Sequence, residues 1–296
     1  MAKRARAPLR IDLAGGWTDV PEFADAEGGA VVNVTLDKFV RGTLDDAGPL
    51  DYRHDVQAGG LGSSACELVL AEALRHPDAD LDDIAEGAFH AERAAGVIGG
   101  RQDQYAACYG GLSFMAFRRP SAASGPVHIE RLELAEPLLR GLESRLVLVD
   151  SGVSRLSGQI HEAVWSAYAR HDDDVTGALL ALKQYARAMR DALVSADFGG
   201  VRHVMSENWT QQKRLHASIT NDTVESIFAL AMKSGASSGK ACGAGGGGAL
   251  VFYASSEGDA ARLRRELRSA GLEVIDVTFT FEGLVDEDDE ASEPQA

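Results

Sequence analysis

Residues 58–75 read AGGLGSSACELVLAEALR. Gly59, Gly60 and Gly62 crowd together and are followed by Ser63 and Ser64. Apolar residues then recur at helical spacing, at Leu68, Leu70, Ala71 and Leu74. Glycines let the backbone turn tightly with its N–H groups facing outward. A helix that starts at the serines leaves its first amides without intrahelical partners, beside the positive end of its dipole. That combination holds phosphate. The plainer alternative is a flexible loop capped by a serine.

Working outward, residues 7–13 alternate as a strand and the AGGWTD of 14–19 breaks it as a turn. Residues 28–34 and 39–44 are strand-like, and the polar 47–55 reads as loop. A second helix, 81–97, puts Ile84, Ala88, Ala91 and Ala95 on one face. The loop at Gly99 and Gly100 opens a short helix, with strands predicted at 112–117, 127–133 and 145–150. From 159 to about 233 the pattern is helical. A glycine-dense run at 239–248, a strand at 249–253, a helix at 258–270 and a strand at 273–281 close the order. This predicts an α+β protein of two lobes, 1–153 and 154–284, with an acidic, disordered tail at 285–296.

The chain has 296 residues, 45% hydrophobic and 25% charged, which fits a globular protein with a sizeable core. It has no apolar run of about 18 residues, and its basic start, MAKRARAPLR, lacks the apolar core of a leader peptide. Cys66, Cys108 and Cys242 are far apart and form no CxxC, so no disulfide framework and a cytoplasmic location are expected. Net charge is −16; six acids lie at 285–296, which leaves −10 on the remainder. Such a surface disfavours nucleic acid and anionic membranes as partners. An acidic chain that binds phosphates must concentrate its donors locally.

The GAGGGG of 243–248 formally satisfies GxGxxG, but a strand-like ALVFYA follows where a dinucleotide site needs a helix. No GxxxxGK[ST] occurs. So dense a glycine run costs conformational entropy, and either a phosphate or the first helix is expected to approach its backbone closely. Glu92 and Asp103 flank the Gly-Gly break. Phosphoryl transfer needs a Mg²⁺ ligand and often a carboxylate beside the attacking hydroxyl. On spacing alone the commoner reading of such acids is a solvated helix face. His54, His90 and His203 show no metal spacing.

Three segments in order, APLRIDLAGGWTD, GGLGSSACE and KACGAGGGGALVF, resemble the three motifs of the GHMP small-molecule kinases, which include galactokinase and the homoserine, mevalonate and phosphomevalonate kinases. GRQDQYAACYGG and DSGVSRLSG are similar to the heptose 7-phosphate kinase branch. The resemblance implies the two-lobed fold of that family, with an N-terminal lobe like ribosomal protein S5 and a ferredoxin-like C-terminal lobe. It implies an ATP- and Mg²⁺-dependent kinase acting on an anomeric-type hydroxyl of a sugar 7-phosphate. Gly59, Gly60, Gly62, Ser63 and Ser64 would wrap the phosphates, supported by Gly243, Gly245 and Gly246. Ser64 and Glu92 would hold the metal, and Asp103, paired with Arg10, would be catalytic. Thr18 and Asp19 would hold sugar hydroxyls. Arg155 and Ser157, with Lys213 and Arg214, are candidates for the substrate's own phosphate. The short segment between the first two motifs also resembles kinases of natural-product pathways, where a C7-cyclitol phosphate replaces the heptose phosphate. A sensor that keeps the loops and not the chemistry is the reading of another class.

Overall fold

A computed structural model of the chain describes residues 2–45, 48–119, 124–153 and 157–290. Its first sheet is built on two long strands, β1 (Lys3–Ala14) and β2 (Gly29–Leu44), antiparallel along most of their length. The predicted strands at 28–34 and 39–44 are thus one strand, continuous through Leu36. β2 also pairs with β3 (Leu50–His54) at one end and with β4 (Leu112–Phe117) at the other, and β4 carries β5 (Val127–Arg131). β1 is buried over eight consecutive residues, 7–14. Helices α2 (Ser63–Arg75) and α4 (Gln102–Tyr109) pack on it, as do α7 (Asp173–Val194) and α8 (Phe198–Leu215) from the second half of the chain. α1 (Pro21–Glu27) and α3 (Leu81–Ala94) complete this layer.

α5 (Glu136–Arg145) leads into the second sheet, which has the order β7 (Ala236–Ala241), β8 (Ala249–Ala254), β6 (Leu146–Asp150), β9 (Glu273–Ile275), every pair antiparallel. This is the split βαβ order of a ferredoxin-like lobe. The helices α6 (Ser157–Ala169), α7, α8 and α9 (Asp222–Ser234) lie between β6 and β7, and α10 (Glu257–Ser269) lies between β8 and β9. α10 is a local product of its sequence: Ser256 caps it by accepting from the Asp259 amide, and Ala260, Leu263 and Leu267 bury one stripe. Among the described residues, no helix is long and apolar enough to cross a membrane.

The lobe boundaries differ from the sequence expectation. β6 belongs to the second sheet, not to the lobe assigned to 1–153. The end of the chain returns to the first sheet: the Asp37 amide donates to the Thr278 carbonyl (2.8 Å), and the Thr280 amide donates to Thr35 (3.1 Å). α7 ties the lobes together. Its first half buries Val175, Leu179 and Leu182 in the second core, and its second half buries Ala186, Met189 and Leu193 in the first.

The start of the acidic tail is ordered, against expectation. β10 (Val285–Asp286) pairs with β1, and α11 (Glu287–Glu290) follows. Glu287 meets Arg6 and Arg41, and Asp288 meets Arg4. The tail acids thus neutralise a basic sheet edge and cover it. Residues 291–296 lie outside the described residues.

Candidate active site

The two glycine segments and the acids meet at one cavity of about 510 Å³, lined by residues of both lobes. Gly62, with φ +83°, is the residue before α2. A side chain there would be strained, and a glycine brings no oxygen to occupy the helix's first amides. Gly59, Gly60, Gly62, Ser63 and Ser64 all line the cavity, and α2 points its N-terminus into it.

The third-motif loop packs on this first one. The Ala249 amide donates to the Gly59 carbonyl (2.8 Å), and a Cβ on Gly248 would sit 2.6 Å from that same oxygen. Gln212 donates to the Gly243 carbonyl, and the Gly248 amide to Val153. The backbone that comes close to this run is that of Gly59 and Gly60, in the loop that leads into α2. Gly243 and Gly245 line the cavity. Gly246 does not: its amide donates to Ile219 (2.7 Å) and its carbonyl accepts from Asn221 (2.8 Å). It supports the loop rather than facing a cofactor.

Arg10 and Asp12 lie two residues apart on β1, so they share a face, and register shifts of the β1–β2 ladder lie next to both. The Arg10 side chain is almost wholly buried. Its Nε (2.8 Å) and Nη2 (2.6 Å) both donate to Asp103 Oδ1, and Nη1 donates to the Gly60 carbonyl (2.6 Å). One guanidinium thus fixes both the carboxylate and the glycine turn. Asp103 sits in the first turn of α4 and lines the cavity.

Asp19 accepts from the Gln102 amide at the start of α4 (3.0 Å). Burial raises its carboxyl to about 6, aided by the negative charges of Asp103 and Asp12. Glu92, near the end of α3, accepts from Gln104 (2.9 Å), and burial followed by the charge of Asp103 pushes it up to about 7. Asp12 Oδ2 accepts from the buried Lys240 ammonium (2.6 Å), while its Oδ1 has no hydrogen-bond partner.

Several expected residues lie elsewhere. Thr18 is fully buried and spends its hydroxyl on Gly15, Ala30 and the Ala30 amide. It shapes the turn and does not line the cavity. Lys213 pairs with Glu225 and Arg214 with Asp174 (2.8 Å), both away from the cavity. Arg155 lies outside the described residues; Ser157 begins α6, and its side chain is not described. Trp165 and Trp209 are buried core residues, and Trp17 lines the cavity. Sequence reading passes over Asp12, Asp150 and His161, which also line it. Asp12 carries a usable signal, its i+2 relation to Arg10; His161, on a helix of otherwise ordinary pattern, carries none. The three thiols are buried, and burial raises all of them, Cys242 to about 12, which disfavours the reactive thiolate.

Residues 189–272 match the family model "GHMP kinases C terminal". The chain is 30% identical to the D-glycero-alpha-D-manno-heptose 7-phosphate kinase of Campylobacter jejuni, over 95% of this chain and 97% of that one. The chain belongs to the GHMP kinase family. This GHMP kinase also shares its fold with a D-glycero-D-manno-heptose 1-phosphate kinase from Bacteroides thetaiotaomicron (TM-score 0.74, 21% identity, 97% and 98% of the two chains). The galactokinase of Lactococcus lactis, complexed with galactose, is similar in fold (TM-score 0.71, 14% identity, 96% and 95%). It is accordingly a small-molecule kinase of the sugar-kinase type, and both the two-lobed fold and the family expected from the motifs hold.

The cavity's charge balance fits the nucleotide and metal that such kinases use. Asp12, Asp19, Glu92, Asp103 and Asp150 line it, against Arg10 as the one Lys or Arg among the described lining residues. A bare triphosphate would be repelled there; a divalent cation would offset both sets of charges. Among the described residues no three His, Cys, Asp or Glu side chains cluster as a metal-ligand set.

Proposed function

We propose that this GHMP kinase transfers the γ-phosphoryl group of ATP to an anomeric-type ring hydroxyl of a sugar 7-phosphate, with D-glycero-D-manno-heptose 7-phosphate as the first candidate. The observation that carries the reading is the Arg10–Asp103 clamp held directly against the glycine-lined start of α2, at one cavity. Near-full-length similarity to a heptose 7-phosphate kinase supports the substrate class.

In this reading the Gly59–Gly62 turn and the first amides of α2 bind the β- and γ-phosphates. The Ser64 hydroxyl and the Glu92 carboxylate hold Mg²⁺, which supplies neutralisation of the phosphate oxygens when bound. Asp103 receives the acceptor hydroxyl's hydrogen bond at its carboxylate, orients the oxygen for in-line attack and takes the proton. The transition state is loose, so positioning and charge stabilisation supply most of the rate. Arg10 holds Asp103 in one orientation. Asp19 faces the acceptor sugar. Arg155 is proposed to receive the substrate's own phosphate, which calls for a fixed cation.

A coupled ADP-release assay over a panel of sugar and cyclitol phosphates, with products read by phosphorus NMR, tests this. Turnover on the heptose 7-phosphate, abolished by chelating Mg²⁺, is expected. Turnover confined to a C7-cyclitol phosphate would move the substrate assignment. Binding of sugar phosphate without ADP release from any acceptor would refute the kinase reading in favour of a sensor.

A further inference from the structure

One part of the cavity wall is aromatic. Trp17 follows the Gly15-Gly16 turn with φ +83°. For a bulky side chain this is a strained conformation, and strain of this kind is kept where a site requires it. The indole lines the cavity, and its buried Nε1 has no hydrogen-bond partner. His161, on α6, stacks on it with ring centroids 4.3 Å apart and an interplanar angle of 25°. The Trp165 Nε1–H points to His161 Nδ1 at 3.4 Å, and Trp165 packs against Trp17 in turn. His161 also lines the cavity.

That arrangement settles which ring nitrogen is available. Nδ1 faces an indole donor, so in a neutral ring it is the acceptor and Nε2 carries the hydrogen. Burial holds the ring neutral, with its pKa lowered to about 4. A neutral N–H donor on an aromatic wall suits a hydroxyl, whereas a phosphate dianion calls for a permanent cation. The flat Trp17–His161 stack offers the apolar C–H face of a sugar ring a surface to lie on.

We infer that His161 is a specificity-determining residue: its Nε2–H donates to a hydroxyl of the acceptor sugar, whose ring rests against the Trp17–His161 stack. This rests on the sugar-kinase reading above and adds to it a residue that the motifs do not carry. It places the sugar against the aromatic wall, leaving the glycine side of the cavity to the nucleotide.

The test compares wild type with His161→Leu, which removes the donor, and with His161→Gln, which restores an N–H at a similar reach. Steady-state kinetics are run with ATP and D-glycero-D-manno-heptose 7-phosphate, and thermal melts confirm folding. His161→Leu is expected to raise KM for the sugar phosphate about tenfold, the loss of one well-made hydrogen bond, and to leave KM for ATP within about twofold. His161→Gln is expected to recover most of the sugar affinity. Because two of the three tryptophans touch His161, the sugar phosphate should also change wild-type tryptophan emission saturably. Equal sugar KM in wild type and His161→Leu would overturn the assignment, as would a KM for ATP that rises as much as that for the sugar. If the wild type rejects the heptose phosphate, the substrate reading fails on its own. The same variant comparison on whichever acceptor the wild type does use then still decides the role of His161.

Discussion

Arg10→Met is the perturbation on which the site's geometry makes its sharpest statement. The substitution keeps an apolar stem of similar length in a buried slot. It deletes two hydrogen bonds to Asp103 Oδ1, at 2.8 and 2.6 Å, and one to the Gly60 carbonyl, at 2.6 Å. Breaking a buried ion pair by removing one partner costs about 3–5 kcal/mol. The Asp103 side chain keeps 29% of its exposure to water, which lowers the expected loss to about 2–3 kcal/mol. That converts to a fall in melting temperature of about 3–5 °C for a chain of this length. Turnover should fall further than stability, because the orienting carboxylate and the phosphate-facing turn lose their common anchor. Misplacement of about 1 Å costs about a hundredfold. Differential scanning fluorimetry and coupled ADP release read the two effects separately. Arg10→Lys keeps the charge and loses the fork, so it should regain part of the stability and little of the rate. If Arg10→Met melted within 1 °C of wild type and kept its kcat/KM within about threefold, the clamp would not be what organises this site.

Three further outcomes follow from other parts of the cavity. Glu92 and Asp19 have folded pKa values raised to about 7 and 6, so the folded state favours their protonated forms. Their contribution to stability is complete below the unfolded carboxylate range and is lost as pH rises through 6 and 7. Glu92→Gln should therefore melt higher than wild type at pH 8 without nucleotide or metal, and the gap should close by pH 5; an equal or lower melt at pH 8 would contradict this. Gly248→Ala forces a Cβ to within 2.6 Å of the Gly59 carbonyl at φ +70°. It should weaken the melting shift produced by Mg·ATP more than it weakens the fold, and an unaltered ATP shift would show that the two loops do not depend on each other. Lys240→Met leaves the Asp12 carboxylate buried without its ammonium partner (2.6 Å in the wild type). A loss of about 3–5 kcal/mol in urea unfolding is expected, and Asp12→Asn in the same background should recover part of it.

What the sequence makes legible here is what the chain decides locally. The Gly62–Ser63 start of α2 is read from its glycines, serines and apolar spacing, because those residues dictate their own backbone. β7 is hidden: its ASSGKA carries little strand propensity, and pairing with β8 makes it a strand. The LVLVD of β6 is plainly a strand, yet nothing local says which sheet it joins. Arg10 and Asp103 lie 93 positions apart, so their pairing came from a family resemblance and not from spacing. Thr18, Lys213 and Arg214 do not line the cavity, for a shared reason. Residue type suggests a binding role, but the hydroxyl is consumed by a turn and the two cations by neighbouring acids. The acidic tail reads as solvated because its basic partners, Arg4, Arg6 and Arg41, sit at the far end of the sequence.

One cavity brings a phosphate cradle and an orienting carboxylate to the same hydroxyl, and ADP release by Asp103→Asn at saturating Mg·ATP and sugar phosphate is the decisive measurement. An intact melt, an intact ATP-dependent melting shift and turnover reduced by about a thousandfold or more are expected. Near-normal turnover from a folded, nucleotide-binding variant would contradict it.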